Sequence, residues 1–171
     1  MKQMKKTESK IMEKPLIKFV YAIEAVFLLV LIDILSKWFF ASILMNPPQR
    51  ISVLPFFDLV LVFNYGISFG MFGEIGPWGP KLLSFLTTCI TIVLMVWLWR
   101  SKHPYEVVGL ALIIGGSIGN IIDRLHDNAV TDFLSLYAGS FYWPVFNGAD
   151  VFITMGAITL MFSNVIWRER F

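Results

Sequence analysis

Four long apolar runs dominate the chain, and each has about the length that a helix needs to cross a bilayer. They cover residues 16–40, 82–99, 107–122 and 151–167. A transmembrane helix requires about 20 mainly apolar residues. The second and fourth runs contain no charged residue, whereas Glu24, Asp33 and Lys37 interrupt the first. The pattern predicts an all-α membrane protein with four transmembrane helices.

The flanks of these runs differ in charge, and the difference predicts the orientation. Six lysines precede or begin the first run, Arg100 and Lys102 follow the second, and Arg168 and Arg170 follow the fourth. Short cytoplasmic flanks carry an excess of lysine and arginine. We therefore expect both termini in the cytoplasm. Residues 1–15 are predicted to be a flexible polar tail, and residues 16–171 a single four-helix domain with outward loops at 41–81 and 123–149.

The two outward loops are themselves rich in β-branched and aromatic residues. Residues 51–63 have strand-like composition, and residues 130–146 read as two short strands around the turn at 138–140. These loops are predicted to form a small β-rich extracytoplasmic platform. Asp58, Glu74 and Asp127 are expected to be solvated loop charges.

Composition agrees with a membrane protein and excludes several other classes. Hydrophobic residues make up 57% and charged residues 15% of the chain, against about 45–50% and 25% in soluble domains. A net charge of +2 does not indicate nucleic-acid binding. Cys89 is the single cysteine, and His103 and His126 lie in different loops without ligand spacing. We expect no metal and no cofactor.

Polar residues at the outer ends of the predicted helices fall at one depth. An ionisable residue inside a membrane is costly and is a candidate functional residue by default. Residues three or four positions apart share a helix face, and several of these polar residues have that spacing. The set comprises Asp33 with Lys37, then Asn120, Asp123 and Arg124, then Asn147 with Asp150, and finally Asn64 and Asp132 from the outward loops.

Several members of this set also have a structural interpretation. The Asp33–Lys37 pair can be an ion pair that lets the helix carry charge, and Asp123 with Arg124 can cap a helix and hold a loop. Asn147 is well placed as an N-cap. Gly115 and Gly119 form a GxxxG pattern, which allows helices to approach closely.

Asp132 and Asp150 are the predicted catalytic pair. Two carboxylates in a partly desolvated site cannot easily both ionise, so they share a proton. Such a pair can activate water as a base and protonate the leaving amine as an acid. A proton-coupled transporter also gathers buried aspartates, and a non-catalytic assembly subunit is a third possibility. Unbroken second and fourth runs and a one-sided polar set favour the hydrolase over a transporter.

Five segments resemble the bacterial lipoprotein signal peptidases (signal peptidase II), and they occur in the family's order. They are Asp33–Lys37, Asn64–Gly70, Gly115–Arg124, Val130–Phe133 and Phe146–Asp150. The resemblance implies an aspartyl endopeptidase of the bacterial inner membrane, with its site near the extracytoplasmic face. Such an enzyme cuts prolipoproteins before a cysteine that carries diacylglycerol.

The resemblance also implies roles for individual residues and ligands. Asp132 and Asp150 match the catalytic aspartates, and the other matching polar positions line or brace the site. Those positions are Asp33, Lys37, Asn64, Gly66, Asn120, Asp123, Arg124 and Asn147. The implied partners are the lipid-modified prolipoprotein, membrane lipid and the cyclic peptide inhibitor globomycin. Ile34 and Ser68 depart from the residues that many relatives have at those positions.

One hypothesis concerns the location of the shared proton. Asp150 is predicted in the first turn of the fourth helix, where the positive end of the helix dipole favours an ionised carboxylate. We therefore expect Asp132 to hold the proton at rest.

Overall fold

The computed structural model describes residues 15–66 and 78–168, with side chains from Leu16 to Ser163 within those ranges. The predicted polar tail lies outside the described residues apart from Pro15. Glu74 and residues 67–70 of the first outward loop also lie outside them.

Four α-helices occur at the predicted places in the chain. They are α1 (Pro15–Phe39), α2 (Gly79–Arg100), α3 (Pro104–Asp127) and α4 (Gly148–Arg168), and a π-helical turn at Phe40–Leu44 extends α1. Proline stands in the first turn of α2 and of α3, where its missing N–H leaves no helical hydrogen bond unmade. Helix α3 ends at Asn128, which adopts the left-handed conformation and donates its N–H to the Arg124 carbonyl at 3.1 Å.

Among the described residues, three segments are long and apolar enough to cross a membrane. They are Leu16–Leu44, Gly79–Arg100 and Pro104–Asp127. Within the described side chains, α4 contributes a shorter apolar stretch, Gly148–Ser163. These segments indicate a multi-pass membrane protein. The count of four spans and the cytoplasmic position of both termini stay predictions.

Helix α3 lies at the centre and packs against the other three helices. Its glycines permit close approach on two sides: a Cβ at Gly115 would lie 2.8 Å from Leu29 Cβ of α1, and one at Gly119 would overlap the Asp33 carboxylate. A Cβ at Gly116 would meet the carbonyl oxygen of Ala149 at the start of α4. The predicted role of the GxxxG pattern in close packing is confirmed.

Apolar and polar interior residues occupy different parts of the helix bundle. The apolar cluster is built from α1, α2 and α3 and comprises Ala22, Val26, Leu98, Leu110, Ala111 and Ile114. Buried Asp33 and Lys37 of α1 and buried Asn120 of α3 lie farther along, at the end that meets the sheet, whereas buried Lys18 lies at the other end of α1. The helices therefore present Asp33, Lys37 and Asn120 where the outward loops fold over them.

The outward loops form a four-stranded antiparallel sheet in the order β1-β2-β3-β4. The strands are β1 (Ile51–Leu54), β2 (Phe57–Asn64), β3 (Val130–Ala138) and β4 (Phe141–Tyr142). The turn between β3 and β4 contains Gly139 with φ +60°, a conformation that glycine adopts without strain. The predicted strands on both sides of residues 138–140 are confirmed. The protein is thus mostly helical with one small sheet.

The expectation that Asp58 is a solvated loop charge is wrong. Strand β2 lies between β1 and β3, and Asp58 is only 1% exposed. Arg50 Nε donates to Asp58 Oδ2 at 2.6 Å. The guanidinium also lies 5.8 Å from the Tyr137 ring centroid and 5.5 Å from that of Tyr142. Asp127, by contrast, is exposed as predicted.

The Arg50 contact also sets the charge of Asp58. Burial acts to raise the pKa of Asp58, but hydrogen bonds from Arg50 and Ser52 and the Arg50 charge lower that pKa below its ordinary value. Asp58 is therefore ionised. Through Arg50 it links β2 to the segment before β1 and to Tyr142 of β4.

Candidate active site

Strand β3 and the segment that follows β4 bring Asp132 next to the start of α4. Asp132 lies opposite Val62 of β2 and is 2% exposed. On the other side of β3, the carbonyl oxygen of Phe146 accepts hydrogen bonds from Phe133 N at 3.0 Å and Leu134 N at 2.8 Å. Because Asn147 follows directly, α4 begins beside Asp132.

A reciprocal cap fixes the Asp150 carboxylate at the first turn of α4. Asp150 N donates to Asn147 Oδ1 at 3.1 Å, and Asn147 N donates to Asp150 Oδ2 at 3.2 Å. This is the capping-box arrangement. The prediction that Asn147 is an N-cap is confirmed. The cap also holds Asp150 where the helix dipole favours negative charge.

Three asparagine side chains donate to the two carboxylates. Asp132 accepts from Asn64 Nδ2 at 2.9 Å and from Asn147 Nδ2 at 2.6 Å, on different oxygens. Asp150 Oδ1 accepts from Asn120 Nδ2 at 3.0 Å. With the backbone bond from Asn147 to Asp150 Oδ2, each of the four carboxylate oxygens accepts one hydrogen bond. A carboxylate oxygen can accept two, so each can still accept one from water or substrate.

Lys37 stands behind these residues and contacts three acceptors. Its Nζ lies 2.7 Å from Asp33 Oδ2, 3.1 Å from Asp123 Oδ2 and 2.8 Å from Asn120 Oδ1. The Lys37 side chain is buried. The structural and the functional interpretation of Asp33 and Lys37 are therefore compatible. The two residues form an ion pair, and Lys37 also donates a hydrogen bond to Asn120, which contacts Asp150.

Asp33 and Asp123 extend this network to the two elements that carry the aspartates. Asp33 Oδ1 accepts from Ala149 N at 3.0 Å in the first turn of α4. Asp123 Oδ2 accepts from Thr131 N at 2.9 Å, next to Asp132 in β3. The charged residues of α1 and α3 therefore fix the backbone on both sides of the site.

Arg124 adds a cation with unused hydrogen-bond donors. Its Nη1 makes a long contact of 3.5 Å to the Asn120 carbonyl, and its buried Nε has no hydrogen-bond partner among the described residues. Asp150, Asp132 and Asp123 are the carboxylates whose charges act on it. A guanidinium donor that faces a cavity is suited to an oxygen atom of a bound ligand.

The site opens into a cavity of about 540 Å³. Its lining combines polar residues with mostly apolar ones from β3, from the segment before α4 and from α4 itself. Six lining residues belong to the set predicted from the sequence, namely Asn64, Gly66, Asn120, Arg124, Asp132 and Asp150; the others are Val130, Leu136, Trp143, Pro144, Val145, Phe146, Val151, Ile153, Thr154 and Met155. The cavity suits a ligand with a polar reactive group and a large apolar part.

The protonation of Asp132 reflects this surrounding. Burial raises the pKa of Asp132 to about 6, and the negative charge of Asp150 acts in the same direction. Hydrogen bonds from Asn64 and Asn147 and the charge of Lys37 oppose the shift. Asp132 therefore holds a proton more readily than an ordinary aspartate.

The structure brings together all ten residues that the sequence singled out. Six of them line the cavity, and the other four, Asp33, Lys37, Asp123 and Asn147, stand behind it. Sequence reasoning missed the apolar wall. Thr154 could have been found, because it lies four residues after Asp150 on the same face of α4. Val145 and Phe146 gave no such signal, since they belong to no regular element.

Comparison with known proteins identifies the family. The family model described as signal peptidase (SPase) II matches residues 25–166. The chain belongs to the signal peptidase II family. The resemblance seen in the sequence is confirmed, and membership makes the chain a peptidase, which decides against the transporter and the assembly subunit.

Known relatives match this chain over most of the length of both proteins. The lipoprotein signal peptidase of Rhodopseudomonas palustris is 42% identical over 142 residues, which are 81% of this chain and 87% of the relative. That of Hydrogenovibrio crunogenus is 36% identical over 148 residues, 85% of each chain. A bacterial membrane enzyme solved by the in meso method is 25% identical, with a TM-score of 0.72 and coverage of 85% of this chain and 87% of that one.

Proposed function

We propose that this chain is an aspartyl endopeptidase that removes the signal peptide from prolipoproteins, on the N-terminal side of a diacylglyceryl-modified cysteine. The relatives named lipoprotein signal peptidase support the substrate class. The observation that carries the catalytic assignment is the pairing of Asp132 and Asp150. Asn147 donates to both carboxylates, and both line one cavity.

In the proposed reaction, water is the nucleophile and the pair supplies acid and base. Ionised Asp150 takes a proton from water as its oxygen attacks the scissile carbonyl carbon, while protonated Asp132 gives its proton to the carbonyl oxygen. Asp150 then protonates the leaving nitrogen as the C–N bond breaks, and Asp132 recovers a proton from the tetrahedral intermediate. The pair ends with one proton, as it began, so that no cofactor is required.

Arg124 and the asparagines serve this reaction through hydrogen bonds. Arg124 has donors left for a substrate carbonyl oxygen, and it lines the cavity beside Asp150. Hydrogen-bond donors to all four carboxylate oxygens fix the orientation of the Asp132 and Asp150 carboxylates relative to each other, which preorganises the site. Burial favours a proton on Asp132, and the helix dipole favours charge on Asp150, which supports the proposed division of roles.

We further propose that the enzyme lies in the bacterial inner membrane with four spans, cytoplasmic termini and the cavity near the extracytoplasmic face. Exposed Phe141, Tyr142 and Trp143 on the sheet side suit the headgroup region. A cysteine anchored by two acyl chains presents its scissile bond at that depth. The apolar cavity wall along α4 can receive the end of the signal peptide, and globomycin is expected to occupy the same cavity.

The test is a gel-shift cleavage assay on the purified protein in detergent. The substrates are a diacylglyceryl-modified prolipoprotein and its unlipidated form, and the variants are Asp132→Asn and Asp150→Asn. The matched control is Asp127→Asn, which makes the same change at an exposed aspartate outside the site. We expect the wild type and the control to cleave only the lipidated form, in a reaction that globomycin inhibits, and both site variants to be inactive.

Folding of each variant is checked by its thermal unfolding and its gel-filtration profile. An intact substrate after incubation with folded wild-type protein contradicts the proposed activity. Full activity in either folded site variant contradicts the assignment of the pair.

A further inference from the structure

Asn120 makes contacts of opposite kind with the two ends of its carboxamide. Its Oδ1 accepts from Lys37 Nζ at 2.8 Å and from Asn147 Nδ2 at 3.3 Å, while its Nδ2 donates to Asp150 Oδ1 at 3.0 Å. A carboxamide has an acceptor at one end and donors at the other. Its orientation therefore decides whether Asp150 faces a donor or an acceptor.

Lys37 allows only one of the two orientations. Its ammonium has three N–H donors, and they meet three acceptors, at 2.7 Å on Asp33, 2.8 Å on Asn120 and 3.1 Å on Asp123. Its side chain is buried, so that no rotation toward solvent is available. A reversed Asn120 would place its NH₂ against this ammonium and its oxygen against the Asp150 carboxylate.

We propose that Lys37 is a positioning residue for the peptidase reaction: it fixes the Asn120 carboxamide so that Asp150, the proposed base, always receives a hydrogen bond. This inference rests on the proposed function. It differs from bracing alone, because it predicts a change in the pH dependence of cleavage and not only in stability. Lys37 does not line the cavity and acts through Asn120.

Other charged groups surround Asp150, and the experiment has to separate them from this relay. Helix α1 contributes Asp33 and Lys37, α3 contributes Asp123 and Arg124, and β3 contributes Asp132. The Lys37 charge acts on the pair directly as well as through the amide. A direct effect persists without Asn120, whereas an effect relayed by Asn120 disappears.

The experiment compares pH profiles of kcat and KM for the wild type and Lys37→Met. Loss of the cation frees the amide to reverse, so the Asp150 carboxylate can lose its hydrogen-bond donor. We expect the acid limb of the profile to move to higher pH by about one unit, which lowers kcat about tenfold on that limb and changes KM less. An unmoved acid limb in folded Lys37→Met overturns the inference.

Lys18→Met is the matched control. Lys18 is the other buried lysine among the described residues of α1, and it donates to the Ser101 carbonyl away from the site. Its loss is expected to lower the melting temperature and to leave the acid limb in place. A shift of equal size in the control would show that the limb follows general destabilisation, which also overturns the inference.

A double-mutant cycle with Asn120→Ala tests the route of the effect. We expect Asn120→Ala to shift the limb in the same direction, and Lys37→Met to add nothing in that background. A full additional shift means a direct effect of charge and contradicts the relay. If Lys37→Met does not fold, the Asn120→Ala variant is the deciding one, because Lys37 keeps its ion pairs with Asp33 and Asp123 in that variant. An acid limb that does not move in Asn120→Ala then contradicts the inference.

A substrate-free measurement separates this inference from the proposed function. The infrared carboxyl band that disappears in Asp150→Asn reports protonation of Asp150 directly. We expect this band to appear at higher pH in Lys37→Met than in the wild type. Failure of the wild type to cleave refutes the proposed function, whereas an unshifted band refutes the role of Lys37.

Discussion

Asp132 and Asp58 lie on neighbouring strands of one sheet and are equally buried, yet their surroundings differ. Asp132 is 2% exposed and Asp58 is 1% exposed. Asp58 is held by the guanidinium of Arg50. The direct hydrogen-bond donors to the Asp132 side chain are the neutral amides of Asn64 and Asn147.

The difference shows that a cationic partner outweighs the effect of burial on a carboxyl, whereas neutral amide donors do not. The pKa of Asp58 is lowered by its hydrogen bonds with Arg50 and Ser52 in spite of burial, whereas burial raises the pKa of Asp132 to about 6. Asp58 stays ionised and joins strands. Asp132 exchanges its proton in the range where a general acid is useful.

The largest expected effect is on catalysis. Asp132→Asn removes the exchangeable proton and is expected to lower the cleavage rate by about 10³-fold or more, while Asp58→Asn keeps the rate within a few-fold of the wild type. Cleavage of the lipidated prolipoprotein by folded variants measures this. Equal losses in the two variants would remove the distinction between a catalytic and a structural aspartate.

The next effect is on the pH dependence of stability, with opposite signs for the two residues. The raised pKa of Asp132 means that its stabilising contribution is full below about pH 4 and is lost as the pH rises through about 6, a change of up to about 3 kcal/mol. The lowered pKa of Asp58 means that its contribution is present above about pH 4 and is lost as the pH falls further.

Thermal unfolding in detergent, between about pH 3 and about pH 8, measures both slopes. Asp132→Asn should remove the loss of stability at alkaline pH, and Asp58→Asn should remove the loss of stability at acid pH. If the alkaline loss of stability persists in Asp132→Asn, or the acid loss persists in Asp58→Asn, another titrating group causes that loss.

A smaller effect is expected when Asp58 loses its cation. Arg50→Met leaves a buried carboxylate without a counter-charge, which is destabilising, and should lower the melting temperature by a few degrees at neutral pH. The double variant Arg50→Met/Asp58→Asn should recover part of that loss. A double variant that melts below the single one would mean that Arg50 acts mainly through the rings of Tyr137 and Tyr142.

The smallest effect concerns the amides around Asp132. The hydrogen bond from Asn64 lowers the pKa of Asp132, so Asn64→Ala should raise that pKa and move the alkaline limb of kcat/KM upward by roughly half a pH unit. The pH profile of cleavage is the measurement. Movement of that limb to lower pH would contradict the assignment of Asp132 as the acid.

Much of this arrangement could be predicted because it depends on short spacings and long apolar runs. The spacing of Asp33 with Lys37, and of Asn147 with Asp150, placed each pair on one turn, and the structure has both contacts. The β-rich loops followed from their composition. The helices and the strand-forming parts of both loops could therefore be predicted without knowledge of the tertiary structure.

The errors arose where distant segments meet. The sequence predicts a solvated charge at Asp58 because the strands on either side of it, β1 and β3, come from two different loops. Nothing in the spacing showed that Lys37 reaches Asn120, which lies 83 residues away. The apolar cavity wall was also missed, since Val145 and Phe146 face the site only after the segment pairs with β3.

The hydrogen bond between Ala149 and Asp33 joins positions that are 116 residues apart. During synthesis α1 enters the bilayer long before α4 exists, and a lone carboxylate is costly there. Lys37 is one turn away in the same helix, so the ion pair forms without waiting for later segments. The Ala149 N–H can reach Asp33 only after α4 has been made. The proposed site therefore stays incomplete until the first turn of α4 has been made.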